Sequence, residues 1–250
     1  MVYSIRQVVS TRLPTRWGLF QAFGFEREAV NGIRRIETAL AFVMGNLSDG
    51  PPLLRIHSQC FTGEVLGFLR CACGDQFEIA MQAIAKEGRG LVIYEYQEGG
   101  GIGLMAKLRA YAVLDTGLDT VEANHALGLG ADYRDFSLSA GILHHLGIRR
   151  VRLLSHNPNK TRALLTAGIS VVAQVPCEAT PNSHSVPYLS TNKEKTGYTL
   201  SLGSAGPDSD RNTQWDPDSE TNHVWSKDEF EGHFPACRRV SIADFAEELQ

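Results

Sequence analysis

Three of the five cysteines in this 250-residue chain, Cys60, Cys71 and Cys73, fall within fourteen residues as Cys-x10-Cys-x-Cys. The count is odd, and the opening residues carry no apolar export signal. That combination argues against a disulfide framework and for a metal or a reactive thiol. Three thiolates hold zinc and leave its fourth tetrahedral position to water, the ligand count of catalytic rather than closed structural zinc. Zinc of that kind lowers the pKa of its water to about 7. The alternative is a structural ion with a fourth ligand from elsewhere, His57 being the nearest in sequence. Cys177 and Cys237 stand apart and read as ordinary thiols.

Three further stretches carry polar chemistry. The turn QEGGGIG, Gln97 to Gly103, offers backbone amides at a helix start, a place where phosphate can be cradled. It matches neither the Walker A nor the dinucleotide fingerprint. Lys107 and Arg109 follow on the helix, where they could add charge to that turn, a solvated helix face being the usual explanation of such a pair. DTVEANHALGLGADYRDF gathers Thr120, Glu122, Asn124, His125, Asp132, Arg134 and Asp135 with few long apolar residues between them. His125 alone reads as a structural histidine, and Asp132 with Arg134 as either a site pair or a surface ion pair. LLSHNPNK, Leu153 to Lys160, ends a strand in polar residues, where ligands bind in α/β folds.

These groups need a scaffold, and the chain spells one out. LFQAFGF and ALAFVMG, between Arg16 and Leu47, predict strands. LLRIHSQC predicts a buried strand with polar residues at its end. DQFEIAMQAIAKEG predicts a helix stopped by Gly88. LVIYEY then predicts a strand and LMAKLRAYAVLDTG a helix with Gly117 past its end. DFSLSAGILHHLG, VRLL, NKTRALLTAG and ISVVAQV continue as helix, strand, helix and strand. Such alternation of β-loop-α units, after a β-rich N-terminal part, implies an α/β fold with a mixed sheet that is parallel in part.

Composition bounds the rest. With 43% hydrophobic and 21% charged residues, and no run near the roughly 20 apolar residues of a membrane span, the chain reads as soluble and cytoplasmic. Residues 1–200 carry 20 Lys and Arg against 17 Asp and Glu. So even a balance gives no general pull on nucleic acid. Residues 201–250 carry 4 against 11 and turn to Ser, Gly, Asp, Pro and Asn, which marks an acidic extension, disordered or docked on the body. Trp215, Trp225, Phe230 and Phe234 are its possible anchors, and SIADFAEEL a short final helix capped by Ser241. The expected division is therefore a catalytic domain over 1–200 and an extension over 201–250.

Taken in order, RIHSQCFTGEVLGFLRCACGDQ, QEGGGIGLMAKLRAYAVLDTGLDTVEANHALG, ADYRDF and LLSHNPNK resemble the GTP cyclohydrolase II family, from about Leu13 to Leu200. The resemblance implies a homodimeric zinc enzyme of the first committed step towards riboflavin. Such an enzyme opens the imidazole ring of GTP, releasing formate from C8 and pyrophosphate. The product is 2,5-diamino-6-ribosylamino-4(3H)-pyrimidinone 5′-phosphate. By matching position Cys60, Cys71 and Cys73 are the zinc ligands. Arg55, Ile56, His57, Ser58, Gln59, Gln76, Glu98, Gly99, Gly100, Thr120, Ser155 and Lys160 fall where the family binds GTP, with Mg2+ on the triphosphate. Tyr111 matches the family's active-site tyrosine; Asp132 and Arg134 match its proton acceptor and its nucleophile on the α-phosphate. For an arginine of pKa above about 12, a clamp on phosphate charge is the more ordinary use.

The departures are specific. Gln59 stands where the family has Glu, Gly100 where it has Arg, Glu95-Tyr96 where it has His-Arg, and Ser155 where it has Thr. An arginine missing from a triphosphate site removes a contact worth about 1.5–3 kcal/mol, or roughly ten- to a hundredfold in binding. Two other readings therefore stand beside the family reaction: a paralogue acting on another purine or pyrimidine compound or stopping early, and a non-catalytic nucleotide-binding protein with structural zinc.

Overall fold

Two short apolar runs organise the molecule. LLRIHS forms β4 (Leu53–Ser58) and GLVIYE forms β5 (Gly90–Glu95), paired in parallel. Leu54, Ile56, Leu91 and Ile93 pack on one face while Leu53 and Val92 pack on the other. A strand buried on both sides has no solvent-facing side to alternate with, which is why β5 opens as the apolar run Leu91–Ile93 and why even the polar Arg55 and His57 of β4 are buried. Each fully buried aliphatic side chain contributes about 1.5–3 kcal/mol of transfer free energy.

The computed structural model describes residues 5–30, 34–130, 132–195 and 197–198. Its sheet has seven strands in the order β1-β2-β3-β5-β4-β6-β7, with β1 (Ile5–Thr15), β2 (Gly18–Val30), β3 (Arg34–Met44), β6 (Arg150–Leu154) and β7 (Ser170–Val175). The β1-β2-β3-β5 half is antiparallel and the β5-β4-β6-β7 half parallel, the mixed α/β sheet expected. Helices α1 (Phe61–Glu64), α2 (Cys73–Glu87), α3 (Leu104–Leu114), α4 (Thr120–Ala126), α5 (Ser137–His145), α6 (Pro158–Thr166) and α7 (Val186–Lys195), with a 3-10 turn at Glu98–Gly101, complete the described elements. Among them no helix is long and apolar enough to cross a membrane.

Helix α2 covers one face of the sheet through Ala80, Met81 and Ile84. Helices α5 and α6 cover the other through Leu138, Ile142, Leu143 and Leu164. Local chemistry sets the helix ends. Gly88, at φ 72°, takes the left-handed position after α2 and donates its N–H to Ile84 at 2.9 Å, as its sequence position predicted. Asp119 and Glu122 form a reciprocal capping box at α4, and Asn157 caps α6 ahead of Pro158.

Four elements escaped the sequence pattern: β1, α1, α4 and α7. Edge strand β1 is exposed along nearly its whole length, so it carries no apolar periodicity to read. The acidic stretch 201–250, with Trp215, Trp225, Phe230, Phe234, Ser241 and Cys237, lies outside the described residues.

Candidate active site

The three cysteines converge where β4 ends and α2 begins. Cys60 and Cys71 Sγ lie 3.7 Å apart, and the three sulfurs all fall within 4.8 Å of one another. Thiolates bound at about 2.3 Å around a tetrahedral ion stand about 3.8 Å apart, so the donor set fits zinc. Without a metal, hydrogen bonds from the Cys71 and Cys73 thiols, with help from Lys107, hold Cys60 far below the ordinary thiol range; Cys71 is pushed up to about 11 in return. Gly63 makes room for the cluster, since a Cβ there would sit 2.7 Å from Cys71 Sγ.

A carboxylate fixes the loop from behind. Glu64 Oε1 accepts the Cys60 backbone N–H at 2.7 Å and meets His57 Nε2 at 3.0 Å, while Oε2 accepts the Tyr94 hydroxyl at 2.8 Å. His57 is stacked on Tyr94 and fully enclosed, and burial pulls its pKa down to about 4. The neutral ring therefore donates from Nε2 to Glu64. Neither ring nitrogen joins the three sulfurs within 4.8 Å, so among the described residues His57 is not placed as a fourth ligand.

Lys107 is not a solvated side chain. Its ammonium lies 3.0 Å from Cys60 Sγ and 2.8 Å from Glu98 Oε1, with only 12% of the side chain exposed. Burial opposes the charge, but the Cys60 thiolate and Glu98 outweigh it and hold Lys107 protonated. Glu98 also accepts the backbone N–H groups of Gly99 and Phe61, so both its oxygens are committed inside the protein.

The glycine turn and the ADYRDF loop are tied together. Gln97 accepts the Asp135 N–H and donates to its carbonyl at 2.8 and 2.7 Å, and the Tyr133 N–H donates to Gly100 at 2.9 Å. Gly99 and Gly100 have φ of 64° and 72°, which explains the glycines. On the loop Arg134 grips Asp132 through Nε at 2.8 Å and Nη2 at 2.6 Å. Burial would raise the Asp132 pKa, yet the Arg134 guanidinium holds it below the usual carboxylate range. Both side chains are about four-fifths buried, so this is not a free surface pair.

A cavity of about 630 Å³ opens over these groups. Ser58, Gln59 and the three cysteines line it, as do Gly99, Gly100, Tyr111, Thr120, Asp132 and Arg134. Tyr111 is stacked on Phe68 at 4.7 Å, and burial pushes its phenol up to about 12. A smaller adjoining space of about 50 Å³ takes Arg55, His57, Gln76, Ser155 and Lys160, and shares Arg134 with the first. Lys160 is buried with its ammonium on the Ile56 carbonyl at 2.8 Å; desolvation and the nearby Arg55 and Arg134 depress its pKa strongly. Ile56 itself points into the core and His125 is exposed. Sequence reasoning missed Glu64, Phe68 and Tyr198 as neighbours of the site; only Glu64, one helical turn after Cys60, left a signal.

Together these features define an α/β protein with a thiolate metal cradle and an acid-arginine pair at the carboxyl ends of its parallel strands. The family model described as GTP cyclohydrolase II matches residues 6–176. The GTP cyclohydrolase-2 of Neisseria meningitidis serogroup C is 48% identical over 198 residues, covering 79% of this chain and 98% of that one. That of Neisseria gonorrhoeae is 49% identical over 195 residues, 78% and 96% of the two chains, and that of Shigella dysenteriae 47% over 197, 78% and 98%. The chain belongs to the GTP cyclohydrolase II family of enzymes.

Proposed function

We propose that this protein is a zinc-dependent GTP cyclohydrolase II. It opens the imidazole ring of GTP and yields formate, pyrophosphate and 2,5-diamino-6-ribosylamino-4(3H)-pyrimidinone 5′-phosphate, for riboflavin biosynthesis. The observation that carries the reading is the opening of the three-cysteine cradle into one cavity that also holds Tyr111, Asp132 and Arg134. The residues 1–200 act as the catalytic unit, in a cytoplasmic homodimer, with 201–250 as an acidic extension.

Cys60, Cys71 and Cys73 hold the zinc, which when bound activates water for attack on guanine C8. Tyr111, kept protonated by its raised pKa, hydrogen-bonds or gives a proton near the opening ring. Asp132 stays ionised and takes a proton. Burial works against the Arg134 charge, but Tyr198 and Asp132 keep the guanidinium protonated, which suits a clamp on the α-phosphate rather than a nucleophile. Arg55, Arg134 and Lys160 face one another in the smaller space, where an anion relieves their mutual repulsion. That supports phosphate binding by this wall, with Gln76 and Ser155, while Ser58, Gln59, Gly99, Gly100 and Thr120 line the remaining surface around GTP and its Mg2+. Glu98 supports the turn from inside.

Gly100 favours a second reading, a different purine or pyrimidine substrate, because it leaves the turn without the family's arginine. The deciding experiment incubates zinc-loaded protein with GTP and Mg2+, follows formate and pyrophosphate together and identifies the pyrimidine by mass. Equal yields of both with the diaminopyrimidinone are expected; GTP left intact overturns the assignment.

A further inference from the structure

We infer that Tyr198 is a substrate-binding residue, its hydroxyl donating a hydrogen bond to a phosphoryl oxygen held beside Arg134. This rests on the reading of Arg134 as a phosphate clamp. Tyr198 lies beyond α7 and outside the residues matched by the family model, yet it lines both the large cavity and the smaller space.

The argument comes from counting donors and acceptors. Arg134 Nη2 lies 3.2 Å from the Tyr198 oxygen and can only donate. Asn157 Nδ2 lies 2.8 Å from the same oxygen. The Asn157 amide cannot be turned round, because its Oδ1 caps α6 by accepting the Asn159 N–H at 2.8 Å. The phenolic oxygen thus accepts twice, and its one proton is left to give. Among the described residues nothing accepts that proton, and Tyr198 is only partly buried. Meanwhile its ring packs with Ala72, Ala179 and Leu189, which fixes the direction of the hydroxyl. Arg134, Asn157, Arg55 and Lys160 present N–H donors on this wall, and the Asp132 carboxylate is taken up by Arg134, so the partner assigned to the Tyr198 proton is an oxygen anion. A nucleotide phosphate meets that description and a neutral base or sugar does not.

The test compares Tyr198→Phe, which keeps the ring and its packing, with the unaltered zinc-loaded full chain. Equilibrium binding is measured for GTP, GMP and guanosine, and KM and kcat for GTP. The variant is expected to bind GTP and GMP about tenfold more weakly and to hold guanosine within about twofold. KM should rise with little change in kcat. Equal weakening of all three ligands, or no weakening of GTP and GMP, overturns the inference and leaves the catalytic reading intact. If the unaltered chain binds GTP without releasing formate, the catalytic reading fails while the binding comparison still decides Tyr198. If it binds none of the three, both fall.

Discussion

Lys107 Nζ, from 47 residues further along the chain than Cys60, bridges Cys60 Sγ at 3.0 Å and Glu98 Oε1 at 2.8 Å and so joins the metal cradle to the glycine turn. Three thiolates around a dication leave a net negative charge in a half-enclosed place, and the ammonium balances it. Lys107→Met should therefore weaken zinc retention by about ten- to a hundredfold, the usual effect of losing a group that hydrogen-bonds a metal ligand. Competition with a chromophoric chelator measures this, and Lys107→Arg should recover part of the loss. Unchanged affinity in Lys107→Met would show that the contact does not reach the metal.

The cradle should also fail without any change of ligand. A methyl group at Gly63 would stand 2.7 Å from Cys71 Sγ and 3.2 Å from Cys60 Sγ, so Gly63→Ala pushes two sulfurs out of register. Elemental analysis after gel filtration should find zinc well below stoichiometric in this variant, with the far-ultraviolet circular dichroism unaltered. Full zinc content would refute the crowding.

Gly100 permits a reversal. Its Cβ position is open, with Asp132 Oδ1 the nearest atom at 4.0 Å, although φ of 72° disfavours an L side chain. Gly100→Arg should cost about 1–2 kcal/mol of stability. In exchange KM for GTP should fall about tenfold or more through a charge-assisted contact. If KM does not move while the melting temperature drops, position 100 does not meet the triphosphate.

Two buried groups on neighbouring strands oppose each other in pH. The His57 pKa falls from 6.5 to about 4 on folding, so its contribution is complete above 6.5 and lost as pH falls towards 4. Burial raises Glu95 from 4.5 to about 7, against the pull of Ser139 donors, so its contribution is complete below 4.5 and lost as pH rises to 7. Each amounts to about 3 kcal/mol, and in the window from 4.5 to 6.5 they nearly cancel. Denaturant unfolding of the metal-free protein should find little net slope there from this pair. In His57→Gln, stability should decline by about 3 kcal/mol between pH 4.5 and 7. A level profile in that variant would place the Glu95 carboxyl near its ordinary value.

The parallel half of the fold was legible because burial on both faces makes β5 an apolar run and leaves β4 apolar but for Arg55 and His57, and because Gly88 and Gly117 mark helix ends locally. β1 was not, since an edge strand exposed on both faces has no pattern to show. α7 was hidden for a related reason: it is mostly polar and packs through little more than Leu189 and Tyr188. At the site the cysteines announce themselves by spacing. The place of Lys107 stayed open between added charge at the turn and a solvated face because its partners sit on other elements, and a bond between elements has no sequence period. Tyr198 depends on Asn157 and Arg134 in the same way.

The loop-to-turn bonds join the Gln97 side-chain amide to the main chain of Asp135, and the Tyr133 N–H to the Gly100 carbonyl. Nothing that keeps the turn in place depends on the side chains at 99, 100 and 101, because these residues have none. Positions 99 and 101 are held to glycine by positive φ and by a Cβ that would stand 3.0 Å from Lys107 and Tyr133; position 100, open apart from its φ of 72°, is where substitution can retune which ligand is preferred while the cysteines, Tyr111 and Asp132 stay where they are. The same independence makes the turn a natural place to graft new selectivity onto this scaffold.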